Sequence, residues 1–188
     1  MRGVRDDDGG FSLIEVLVAV VVLSVAAAGV ASLFALAASA TLIARGQTGA
    51  TLLAAGKLEQ LRELRWGFDA EGTPVTDTMS DLSTDPVTDF GRGLSASPAD
   101  SLQRNVAGYV DYLDEAGRWV GTGPQPPPRA VYIRRWCIQP LPEDPVNARL
   151  LQVLVTSVVG RRGTPTVDRV VRLPGDALVT AIRTRKAA

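Results

Sequence analysis

The sequence predicts an α+β protein: a long N-terminal helix, transmembrane in its first half and amphipathic in its second, packed on a C-terminal antiparallel β-sheet. Three observations lead there. Val16 to Ala44 carries no charged residue, and at about 1.5 Å per residue roughly 20 helical residues cross a bilayer core. Leu53, Ala54, Leu58, Leu61 and Leu64 then recur at the spacing of one helix face. Beyond residue 105, short runs rich in Val, Ile, Tyr and Trp alternate with Gly, Pro and Asp turns, the pattern of strands and hairpins.

The 188 residues suit one modest domain plus an anchor. Formal net charge is zero, so there is no bulk basic footprint for nucleic acid. The chain has no histidine, which removes histidine triads, bases and zinc ligands. Cys137 is the only cysteine. No intrachain disulfide can form, and the thiol reads as a small buried apolar residue rather than a nucleophile. Serine and aspartate are plentiful, but no pattern sets a nucleophile beside a base. No enzyme, cofactor or metal is expected.

The apolar segment contains Gly29 as its only glycine and has no proline, so one continuous helix is expected. Its anomaly is Glu15, just inside the start. A carboxylate in a membrane-length segment costs roughly 2.5–3.5 kcal/mol at its centre. A cleaved secretory signal is one reading, since Ala38-Ser39-Ala40 resembles a signal cleavage site. The run is too long for that, however, and Asp6-Asp7-Asp8 spoil the positive flank. A plain single-pass anchor explains the length but not Glu15 or the preceding Gly9-Gly10-Phe11. A third reading is a helix that lies in lipid until copies bury it, with Glu15 paired to a neighbour's positive group.

Gly10-Phe11-Ser12-Leu13-Ile14-Glu15-Val16-Leu17-Val18-Ala19 resembles the processing site of type IV pilins and of type II secretion pseudopilins. The resemblance implies a type IV pilin-like fold. It also implies a leader (1–10) removed by prepilin peptidase after Gly10, N-methylation of the new terminal Phe11, and Glu15 as the assembly carboxylate. Arg2 and Arg5 suit a cytoplasmic start. The partners implied are other pilins or pseudopilins, the peptidase/methyltransferase, the inner membrane and its assembly platform. Localisation would be the inner membrane, head periplasmic, then the pilus or pseudopilus. Length, the single cysteine and Tyr-Ile-Arg-Arg-Trp at 132–136 most resemble PilV-type minor pilins, and are similar to GspI-like pseudopilins.

The expected order after the leader is an assembly helix (11–44), an amphipathic helix (45–66), a polar loop region (67–104) and a β-sheet head (105–188). Gly46, Gly49 and Gly56 weaken the helix after the apolar run, and Trp66-Gly67 ends it. Pro74, Pro86 and Pro98 exclude helix from the polar stretch, as do Asp77, Asp81, Asp85 and Asp89, whose like charges would stack. That stretch reads as a solvated acidic loop with short extended pieces, and its aspartate spacing is not that of a calcium loop.

Strands are expected at Asn105–Leu113, Arg118–Val120, Ala130–Gln139, Leu150–Val159 and Val167–Leu173. Turns fall at Asp114–Gly117, Pro140–Asn147 and Arg161–Thr164. Leu178–Ala188 is either a final short element or a solvated tail. Tyr132, Arg134, Arg135 and Trp136 interleave aromatic and basic residues, as single-stranded nucleic-acid binders do. Alternate side chains of a strand face opposite ways, so core plus arginines is the simpler reading, and nucleic acid is not the expected partner. The function expected is that of a minor pilin or pseudopilin. The alternatives are a minor pilin whose head binds DNA or a surface ligand, and a plain membrane-anchored protein.

Overall fold

The computed structural model describes residues 12–82, 91–158 and 172–185. The chain divides into two compact units, Met1–Leu42 and Ile43–Ala188. One helix, α1 (Leu13–Glu63), passes through both. It is followed by β1 (Trp66–Phe68), β2 (Pro74–Thr76), β3 (Val110–Leu113), β4 (Trp119–Gly121), β5 (Tyr132–Leu141), β6 (Asp144–Ser157) and β7 (Ala177–Thr184).

In the first unit α1 is apolar all round. It is the one helix among the described residues long and apolar enough to cross a membrane, and none of its most apolar window is buried. Its hydroxyls are satisfied within the helix. Ser24 Oγ donates to Val20 O (2.7 Å), Ser32 Oγ to Gly29 O, Ser39 Oγ to Leu36 O and Thr41 Oγ1 to Ala37 O (2.8 Å each). In hydrocarbon an unbonded hydroxyl would be costly, and these local bonds remove that cost.

The second unit is the expected α+β head: the last turns of α1 pack on an antiparallel sheet of order β4-β3-β5-β6-β7. Ala50, Ala54, Leu58 and Leu61 are buried, with Leu53 and Leu64 packed beside them. They meet Trp136 and Ile138 of β5, Leu151, Val153 and Val155 of β6, and Val179 and Ala181 of β7. Each fully buried leucine is worth about 1.5–3 kcal/mol against exposure. The period-2 alternation turns Tyr112, Ile133 and Val158 to the opposite face, where they cluster with Val110 and Ala130. The Asp114–Gly117 turn forms as expected: Asp114 Oδ1 accepts from Ala116 N and Arg118 N (2.9 Å each). Gly117 there has φ 75°, a backbone conformation that favours glycine, and a Cβ would come within 2.7 Å of the tip of the Leu53 side chain, which would have to move aside.

Several strand boundaries differ from expectation. Asn105–Tyr109 is not strand, and β3 begins only at Val110. Pro140–Asn147 is no broad turn: β5 runs through Leu141, β6 starts at Asp144, and the register shifts between Pro140 and Leu141. Proline is tolerated at such irregularities. The polar region does contain short extended pieces, β1 and β2, which pair with each other. Asp85, Asp89, Arg161–Thr164 and most of Val167–Leu173 lie outside the described residues. Of the two readings for the C-terminal segment, the final short element holds over Leu178–Thr184, because β7 pairs with β6 from Ala148↔Thr184 to Val155↔Ala177.

Candidate functional site: the acidic start of the apolar helix

Ser12 precedes α1 and Glu15 stands in its first turn. Glu15 N donates to Ser12 O (3.0 Å) and to Ser12 Oγ (3.3 Å). Ser12 is therefore the N-cap, and Ser-x-x-Glu is the capping-box pattern, with the acid where the helix dipole favours negative charge. Sequence reasoning assigned Glu15 to assembly alone. The three-residue spacing from Ser12 was the available sign of this second, local role. Glu15 is exposed and shares a shallow apolar concavity with Val16, Ala19, Val20 and Leu23. A carboxylate in such surroundings attracts a cation strongly once water is removed. Gly10 and Phe11 lie outside the described residues.

The aromatic-basic cluster of β5 is interior. Trp136 is 1 % exposed, and Arg134 and Arg135 are also buried. Arg134 grips Asp111 of β3 with two bonds, Nε to Oδ1 at 2.9 Å and Nη2 to Oδ2 at 2.7 Å. Arg135, on the other face, donates from Nε to Asn105 Oδ1 (2.9 Å). These groups are not presented for base stacking. Lys57 of α1 completes the buried cluster, which the sequence did not reveal. Its Nζ donates to Asp111 Oδ2 at 3.2 Å and to Leu82 O, and lies 4.0 Å from the Trp136 ring centroid. The only sign was a lysine at position 57, one residue before Leu58 of the apolar stripe.

The basic tail is likewise structural. Arg183 Nη1 donates to Leu61 O (2.9 Å) and Nη2 to Leu64 O (2.6 Å), satisfying carbonyls that a helix end leaves open. Arg185 donates to Gly67 O, Val75 O and Thr76 Oγ1 and covers the Trp66 ring at 3.6 Å. It thereby fastens the β1–β2 hairpin to the sheet. Cys137 is buried and accepts from Ser97 Oγ at 3.2 Å, as a packing residue would. Among the described residues no group of acidic, histidine or cysteine side chains could hold a metal.

Residues 5–31 match the family model described as the prokaryotic N-terminal methylation motif. No curated protein matches the chain, and no solved structure does. A segment of this kind stands at the start of type IV pilin-like prepilins, where it implies processing by a prepilin peptidase and association with other pilins; here it covers residues 5–31 of the 188. Proteins of this type are structural rather than catalytic. A membrane-length helix leading into an α+β head is the corresponding architecture.

Proposed function

We propose that this chain is a minor pilin or pseudopilin, cleaved after Gly10, methylated on Phe11 and assembled into, or at the tip of, a type IV pilus or a type II secretion pseudopilus. The observation that carries the reading is the methylation-motif match over residues 5–31, which includes the Gly10–Phe11 bond and Glu15. Before assembly the helix lies in the inner membrane with the head periplasmic. Cleavage creates a terminal amine on Phe11. In the assembled core that amine of one subunit pairs with Glu15 of a neighbour, so that one axial register satisfies both charges and others leave a carboxylate unpaired. The 132–136 motif and the single cysteine support a PilV-like or GspI-like subclass.

Mass spectrometry of the protein recovered from its native membrane tests this. The expected N-terminus is N-methylated Phe11 with residues 1–10 gone. An intact Met1, or a start near Thr41, would sink it and leave a plain anchor or a secretory signal. Glu15→Ala should insert normally but be lost from filaments recovered by pull-down, and undiminished recovery would remove the assembly role.

A further inference from the structure

We infer that Lys57, Asp111 and Arg134 form a proton-dependent clasp between the helix and the sheet of the head, gripping more tightly when Lys57 is neutral. The geometry comes first. Lys57 and Asp111 are both fully buried and Arg134 nearly so. The three come from α1, β3 and β5, so the clasp joins every layer that must part if the helix lifts. Asp111 receives both cations, Arg134 through two bonds and Lys57 through one at 3.2 Å. With both cations protonated, two positive charges share that one buried carboxylate.

Asp81, in the segment preceding Leu82, adds a more distant attraction on Lys57. The Trp136 face lies against the ammonium. β6 and β7 turn apolar Leu151, Val153, Val155, Val179 and Ala181 to this face, while Arg183 is drawn off to the helix-end carbonyls. On α1 itself, Glu59 and Arg62 pair with each other in solvent.

Losing the Lys57 proton leaves the matched Arg134–Asp111 pair and relieves burial of an extra charge. Burial is the dominant influence on Lys57 and outweighs the attraction of Asp111, bringing its pKa down to about 8 from 10.5, with Arg134 adding repulsion. A lifted helix would return Lys57 to water and to its ordinary value. The closed form therefore gains on the open one as pH rises from about 8 to 10.5, with a slope that approaches tenfold per pH unit mid-window.

The full chain contains two lysines, Lys57 and Lys186, so 13C-lysine labelling in detergent micelles gives two side-chain signals to titrate. One should titrate near pH 8, and Lys57→Met should remove it. Amide protection in β5, corrected for intrinsic exchange, should rise about fivefold from pH 8 to 9 in the natural chain and stay flat in Lys57→Met. Two signals both titrating near 10.5, or an equal rise in the variant, would overturn the clasp. If Lys57→Met does not fold, the lysine titration of the natural chain decides alone.

Discussion

The two stretches of α1 divided at Leu42 are one continuous helix solving two different burial problems. Up to Leu42, large side chains point outward on all sides, the hydroxyls fold back onto their own carbonyls, and Glu15 is the only charge. From Ala50 onward, one face is packed to near-zero exposure and its buried Lys57 is tied to Asp111 of a strand far away in sequence. The first stretch asks its surroundings, lipid or copies of itself, to supply its contacts. The second finds them within its own chain. Burial is thus a property of the partner surface, and the same helix can be left open in one part and sealed in the next.

The contrast breaks most severely at Asp111. Asp111→Ala strands two buried cations and should cost the head about 3–5 kcal/mol, measured by denaturant unfolding in micelles, while membrane insertion is unchanged. Next comes Leu61→Ala, which opens a cavity in the sealed face and should cost about 2–5 kcal/mol. Leu33→Ala, on the outward-facing stretch, should leave head unfolding unchanged. Equal losses would mean that the two stretches are not energetically separate.

Raising the pH should strengthen the head. Unfolding restores Lys57 to 10.5 from about 8, so in that window the unfolded chain holds a proton the folded one has lost. Stability is highest above 10.5 and falls away as pH drops through 8, by on the order of 3 kcal/mol in all. The difference between the natural chain and Lys57→Met across pH 7–10 isolates the effect, and a difference independent of pH would contradict it. Smallest of all, Ser24→Ala with Ser32→Ala removes only local helix bonds and should shift head stability by less than about 0.5 kcal/mol.

Much of this contrast was legible in the sequence. The charge-free run and the leucine stripe have long, regular periods, and period is what sequence transmits best. Glu15 stood out because a carboxylate is rare in such a run. Lys57 did not, because a lysine at that position equally reads as a solvated side chain, and only the fold brings Asp111 to it from 54 residues away. Arg183 and Arg185 were hidden for the same reason: three basic residues near a chain end look like a tail until β6 supplies a strand to pair with. The turn at Pro140–Asn147 was overdrawn because its prolines suggested a wide loop where the ladder admits an irregularity instead.

Arg183 closes the end of α1 from 122 residues further along the chain. At synthesis rates of about 5–20 residues per second, the ribosome needs roughly 6–25 s to travel from one partner to the other. Throughout that interval the leucine face has no sheet complete enough to cover it. Assembly of the head is therefore a late event, finished only when β7 arrives to pair with β6 and close the end of the helix.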